Sequence, residues 1–321
     1  IANLAGERAE TRDFMLNEGI VKMVTYMYTK YSNNESLLTD LVFIIRNLCI
    51  NNDPCVPYDK VQETMPIIIT LLKPIIFDKP YVPDAIWTLS FLLHDKVNFT
   101  ELSRYYPLVL QYYRCDFEPV LEACVSYLGG YVEHGSEQCT IFGQPDIFER
   151  TKEVLCSDVS AKTKSRLVTI LYNMVYTRIP NVEYTTVSQF LPLLINYFIK
   201  TIDDHDLKLE VGLFAVECIE TTNPAILEGI LSIPNFFEFV ILLFEIDDSS
   251  FILRLLVSLR KLLVFDSTYG NRFKIAEQLE ERQFNGILSS FELVKYAKHK
   301  LILNVIGDLT KILNYRTTTL F

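Results

Sequence analysis

Glycine and proline are scarce, 11 and 13 among 321 residues, and that scarcity excludes a turn-rich β protein. The four histidines, His94, His134, His205 and His299, stand far apart, none at metal-ligand spacing with a cysteine or another histidine. No Gly-rich phosphate loop or G-x-S-x-G turn occurs, so no catalytic chemistry and no cofactor or metal is indicated. The seven cysteines are odd in number, scattered and without a C-x-x-C pair, which argues against a disulfide framework or zinc site and fits a reducing compartment. No Gly/Ser/Pro-rich linker divides the chain. The most apolar run, Met65 to Phe77, is broken by Lys73 and Pro74, far short of the roughly 20 residues of a bilayer span. Positive charge is also in deficit: the net charge of −10 argues against a general nucleic-acid binder and leaves room for basic partners, although mild acidity is common in soluble proteins. No targeting signal is visible at the N-terminus, and the missing initiator methionine is expected of a chain that begins inside a longer protein.

Hydrophobic residues make up half of the sequence, with 21 Phe and 18 Tyr. At this length one compact core is disfavoured and a long array of buried helices is favoured. An internal period supports that. Ile1–Glu7, Phe43–Asn51, Trp87–Asp95, Thr169–Thr177 and Leu213–Thr221 align so that Asn3, Asn47, Phe91, Asn173 and Glu217 fall in register. Tyr131 and Lys261 complete the series at separations of 44, 44, 40, 42, 44 and 44 residues. This is an armadillo or HEAT period. A helix of 3.6 periodicity precedes each aligned one, over 16–28, 61–77, 105–113, 147–155, 187–200, 236–246 and 284–294. Short third helices at 11–17, 100–104 and 225–232 lean towards armadillo units. Asn33-Asn34, Lys79-Pro80 and Asp203-Asp204 punctuate the units. The expected fold is therefore all-α, an armadillo-repeat right-handed superhelical solenoid spanning residues 1–321 as one domain of seven to eight repeats, the first incomplete. Its concave face would be lined by the last helix of each repeat.

On such a helix Asp84, Trp87 and Phe91 project from one face, and Trp87 is the only tryptophan. Taken singly, these residues leave alternatives open. Trp87 fits a core position as well as a ligand platform, and Asn3, Asn47 and Asn173 fit capping or bridging between repeats as well as ligand contact. Glu7, Asp40, Asp84 and Asp95 fit ordinary solvated carboxylates as well as a groove. The tyrosines at 105–106 and 112–113 and the phenylalanines at 236–239 read as packing between repeats.

Three stretches carry a resemblance. The opening N-L-A-G-E-x-x-x-T-R-D-F-M-L (Asn3 to Leu16), the segment RNLCINNDPCVPYDKVQETMPII (Arg46 to Ile69) and DAIWTLSFL (Asp84 to Leu92) are similar to the armadillo domain of the importin α (karyopherin α) family. Beyond about residue 100 only period and helix pattern continue the likeness. The resemblance implies an adaptor that reads nuclear localisation signals, moves between cytoplasm and nucleus, and recruits importin β through a segment outside this chain. It implies no direct nucleic-acid or membrane contact. Tryptophans of that family stack on lysine stems, asparagines bind the extended peptide backbone, and acids select basic side chains. Carried over, Asn3 and Asn47 take asparagine positions and Trp87 a tryptophan position. Glu7 and Asp84 match family acids, Asp40 adds a carboxylate, and Phe43 and Phe91 supply further rings. Thr169, Leu213, Tyr131 and Glu217 depart from the pattern, and Arg166 stands three before Thr169. A second groove formed by Asn173, Glu210 and Glu217 is therefore expected to be degenerate. The alternative is a scaffold derived from the same fold that holds one dedicated protein partner and has lost general signal reading.

Overall fold

The computed structural model describes residues 2–50, 54–93, 96–201, 203–221, 223–269, 272–291 and 299–318; Asp95 lies outside these. Among the described residues all regular structure is helical. Helix α1 (Ala2–Glu7) precedes a repeat of α2 (Ala9–Asn17), α3 (Ile20–Tyr31) and α4 (Glu35–Cys49). Further repeats follow: α5 (Tyr58–Val61), α6 (Met65–Leu72) and α7 (Val82–Leu93); α8 (Lys96–Leu102), α9 (Tyr106–Tyr113) and α10 (Glu118–Glu133); α11 (Ser136–Phe142), α12 (Pro145–Cys156) and α13 (Ala161–Tyr176). Helices α14 (Pro180–Thr201) and α15 (His205–Ile219) form a two-helix repeat. Two more repeats comprise α16 (Pro224–Leu231), α17 (Phe236–Leu243) and α18 (Ser249–Thr268), then α19 (Ile275–Glu280), α20 (Phe284–Ser290) and α21 (Lys300–Thr318). The chain packs as two compact units, Ile1–Ile170 and Leu171–Phe321. No single helix among the described residues is long and apolar enough to cross a membrane.

The last helices of four repeats, α4, α13, α15 and α18, start by one device. Asn34, Ser160, Asp204 and Asp248 each stand 13 residues before a register residue. Each accepts a hydrogen bond from the backbone N–H three residues on, at Leu37 (3.1 Å), Thr163 (3.3 Å), Leu207 (2.9 Å) and Phe251 (2.7 Å). These are N-caps, satisfying donors a helix start leaves open. The second helices deviate more from the periodicity. Gly19, with φ +84°, lets the chain turn so that α3 begins at Ile20 rather than near Leu16. Pro74 and the left-handed Ile75 (φ 52°) stop α6 at Leu72, short of Phe77. Between Pro180 and Thr201 no glycine intervenes, and one helix of 22 residues fills the place of two, with Pro192 in its interior.

Stabilising contacts run from one repeat to the next. The Tyr112 hydroxyl donates to the Leu72 carbonyl (2.7 Å), the buried Tyr113 and Thr151 hydroxyls pair at 3.0 Å, and His134 Nε2 lies 2.9 Å from the Leu93 carbonyl. Arg150 donates to the carbonyls of Tyr113 (3.1 Å) and Cys115 (2.9 Å). Arg12, fully buried, donates to the Pro54 carbonyl at 2.9 Å. Each of these links spans about one period, the nearest-neighbour pattern of a stacked array. The same closeness makes Gly212 necessary in α15: a Cβ there would sit 2.7 Å from the ring of the buried Phe251 and 3.2 Å from Ile246. Gly212→Ala is therefore expected to destabilise the chain by about 1–3 kcal/mol through overpacking, read as a lower urea midpoint. Gly286→Ala, where nothing lies within 4 Å, should leave that midpoint unchanged or raise it slightly.

Candidate functional site

In the N-terminal unit the sequence-predicted residues of α4 and α7 come together, around a cation of the chain itself. Arg46, one residue before Asn47, reaches Asp84 with Nη1 3.1 Å from Oδ1. Its guanidinium lies 5.9 Å from the Phe43 ring centre and 6.0 Å from that of Phe91. Phe91 in turn stacks on Trp87 at 5.3 Å. These are cation–π distances. Burial pushes the Asp84 carboxyl above its ordinary range, and Arg46 pulls part of that shift back. The folded chain thus holds this proton to higher pH than the unfolded chain, so Asp84 weighs against folding above that range and the cost disappears as the pH falls.

The second platform is occupied in the same way. Arg166, at the start of α13, places its guanidinium 5.1 Å from the Trp87 ring and donates to Glu122 Oε1 of α10 at 3.0 Å. Lys162 Nζ, one turn earlier, lies 2.9 Å from the same oxygen. Arg166 and Trp87 therefore meet across α10, beneath which Tyr127 and Tyr131 are buried. Tyr127 donates to the Leu102 carbonyl at 2.9 Å and Tyr131 stacks on Tyr106 at 4.3 Å. Both α10 rings belong to the core and offer no platform.

The remaining predicted residues separate by exposure. Asn3, Glu7 and Asp40 are exposed. Asn47 is 5% exposed, and a Cβ on Gly6 would stand 3.2 Å from its Oδ1. That placement beside α1 fits the bridging alternative that its residue type left open.

In the C-terminal unit Glu217 belongs to the groove that is expected to be degenerate. It is 2% exposed and sits between two guanidinium groups, one oxygen paired with Arg178 Nη2 and the other accepting from Arg254 Nη2 at 2.9 Å. Arg178 also donates to Glu183 (2.8 Å), and Arg254 approaches the Tyr172 hydroxyl (3.5 Å). Arg178 adopts the left-handed region, φ 55°, where a side chain costs about 1–2 kcal/mol; the buried carboxylate holds it there. Glu217 is thus an internal lock between repeats and not an acid open to a ligand. Asn173 and Glu210 are partly exposed on α13 and α15. One position carried a signal for Arg166 and Arg254: seven residues before the register residue stand Asp40, Asp84, Cys124, Arg166, Glu210 and Arg254, so that arginine replaces the acid at two of the six.

No protein-family model matches the chain. Among solved structures, an engineered protein superposes with a TM-score of 0.76 over 98% of this chain and 72% of that one, at 11% identity. A second engineered protein gives 0.60 over 77% and 98%, at 12% identity. A designed armadillo repeat protein, solved in complex with the peptide (KR)4, gives 0.59 over 76% and 99%, at 12% identity. The fold is an armadillo-like, all-α repeat fold.

Replacing Glu217 by Gln removes the charge from two charge-assisted hydrogen bonds and is expected to cost about 1.5–3 kcal/mol in urea unfolding. The exposed Glu7→Gln should change stability by no more than about 0.5 kcal/mol.

Proposed function

We propose that this chain is a non-enzymatic, importin-α-like adaptor whose N-terminal unit binds an extended basic segment of a protein partner, with transfer between cytoplasm and nucleus as the consequence. The observation that carries this reading is the position of Arg46, whose guanidinium lies by Phe43 and Phe91 and pairs with Asp84. A basic side chain of a partner needs the same three groups: rings for its cation, an apolar wall for its stem and a carboxylate for its end. Exposed Asn3 and Glu7 extend the surface to α1, and the acidic Asp40 lies on α4. Binding is then a replacement: the partner's cations take the places held by Arg46 and Arg166. Arg46 is a replaceable occupant, because its buried Nε finds no hydrogen-bond partner among the described residues, which leaves a desolvation cost in the closed state. The same chemistry suits the designed armadillo repeat protein whose complex holds a Lys/Arg peptide. Importin β recruitment would use a segment outside this chain.

A second reading is supported by the occupancy itself. If the arginines are fixtures, the fold is a scaffold for one dedicated partner and general signal reading is lost. Fluorescence anisotropy of a labelled lysine-rich peptide separates the two. The adaptor reading predicts micromolar binding at low salt that Asp84→Lys abolishes. Arg46→Ala combined with Arg166→Ala should tighten it, since two competing cation–π contacts of about 0.5–2 kcal/mol each are removed. Absence of binding by the folded chain and by the double variant would overturn the adaptor reading in favour of the scaffold.

A further inference from the structure

We infer that the basic side chain this surface takes from its partner is arginine, and that lysine of the same charge binds there more weakly. The inference rests on the adaptor reading above, with Arg46 and Arg166 displaced as that reading requires, and names the side chains that replace them. Both places are shaped for a guanidinium. One stacked pair of rings, Trp87 and Phe91, 5.3 Å apart and inclined by 26°, carries a guanidinium at each member: Arg46 lies 6.0 Å from Phe91 and Arg166 5.1 Å from Trp87. Each also reaches a carboxylate through Nη1, Arg46 to Asp84 at 3.1 Å and Arg166 to Glu122 at 3.0 Å. A planar cation does both at once, giving its face to a ring and its edge N–H groups to an oxygen, whereas an ammonium is a compact, strongly hydrated point charge.

Partial burial turns that shape into selectivity. None of the side chains of Arg46, Asp84, Arg166 and Glu122 is more than 34% exposed. A cation seated among them gives up much of its water, and a guanidinium, being the more weakly hydrated, has less to lose. Lys162 shows the contrast at the same carboxylate. Its Nζ lies 2.9 Å from Glu122 Oε1 on a side chain that is 67% exposed, so the ammonium pairs from the water side while the guanidinium of Arg166 takes the ring. Lys162 leaves no surplus positive charge there, because the Glu118 carboxylate, accepting from the Ser160 N–H at 2.8 Å, balances it. A partner's arginine also has an advantage over the resident one. Arg46 reaches the rings from α4 and buries an Nε that has no hydrogen-bond partner. An arginine arriving from solvent sets its terminal nitrogens in the same place with its stem outward, which keeps its Nε hydrated and avoids that cost.

The test uses the full chain and three labelled peptides of equal length in anisotropy titrations at one ionic strength. They differ only at their basic positions, which are all arginine, all lysine, or all citrulline, the uncharged analogue of arginine. The first two share a charge and the first and third share a shape. The arginine peptide is expected to bind about tenfold tighter than the lysine peptide, and the citrulline peptide not to bind. Phe43→Leu combined with Phe91→Leu, and separately Trp87→Leu, each shown folded by circular dichroism, are expected to narrow the arginine advantage. Lysine binding as tight as arginine binding on the unaltered chain, or an advantage that neither ring replacement narrows, overturns the inference and leaves the adaptor reading intact. If neither charged peptide binds, both fail.

Discussion

A three-helix repeat of some 40 to 44 residues has no interior of its own, and its apolar face is buried only by the repeat beside it. Everything else in the chain follows from that constraint. Tyr112 reaches the Leu72 carbonyl, Tyr113 reaches Thr151, and Arg12 reaches Pro54. Each of these links spans about one period, the reach of a neighbouring repeat, while the long guanidinium side chains of Arg166 and Arg254 reach two repeats back, to Trp87 and Tyr172. Helices α4, α13, α15 and α18 share a start made by Asn34, Ser160, Asp204 and Asp248, which sets each register residue at the same distance from its helix N-terminus.

Paired cations and anions recur within each unit. In the N-terminal unit Arg46 pairs with Asp84 and Arg166 with Glu122; in the C-terminal unit Glu217 is held by Arg178 and Arg254. The two sets differ in accessibility. Glu217 is enclosed, so its network adds cohesion between repeats. Asp84 and the aromatic rings around it remain partly exposed, as the proposed exchange of occupants requires. Burial separates the two sets, since a charge fully withdrawn from water loses too much if its partner leaves.

The period, the third helices and their face were legible in the sequence because hydrophobic spacing and capping residues are local signals. Asn34 and Asp204 mark helix starts without any knowledge of the fold. The segments 61–77 and 187–200 were less legible: Ile75 adopts a left-handed backbone that nothing in its residue type announces, and Pro192 sits inside a continuous helix where it usually ends one. Within the site, Trp87, Phe91, Asp84 and Phe43 were readable from one helix face. That Arg46 and Arg166 would lie on those rings was not, because side chains arriving from neighbouring repeats depend on stacking geometry. The surroundings of Asn47 and Glu217 were unreadable for the same reason, as they are set by neighbouring elements, Gly6 in one case and Arg178 with Arg254 in the other.

Because Trp87 is the only tryptophan, its fluorescence reports the occupied platform without labelling. Acrylamide quenching of the unaltered chain and of Arg166→Ala, each shown folded by circular dichroism, tests the central claim that the chain's own guanidinium covers the ring. The account predicts a larger quenching constant and a red-shifted emission maximum for Arg166→Ala. Identical quenching and emission in the two proteins would contradict it.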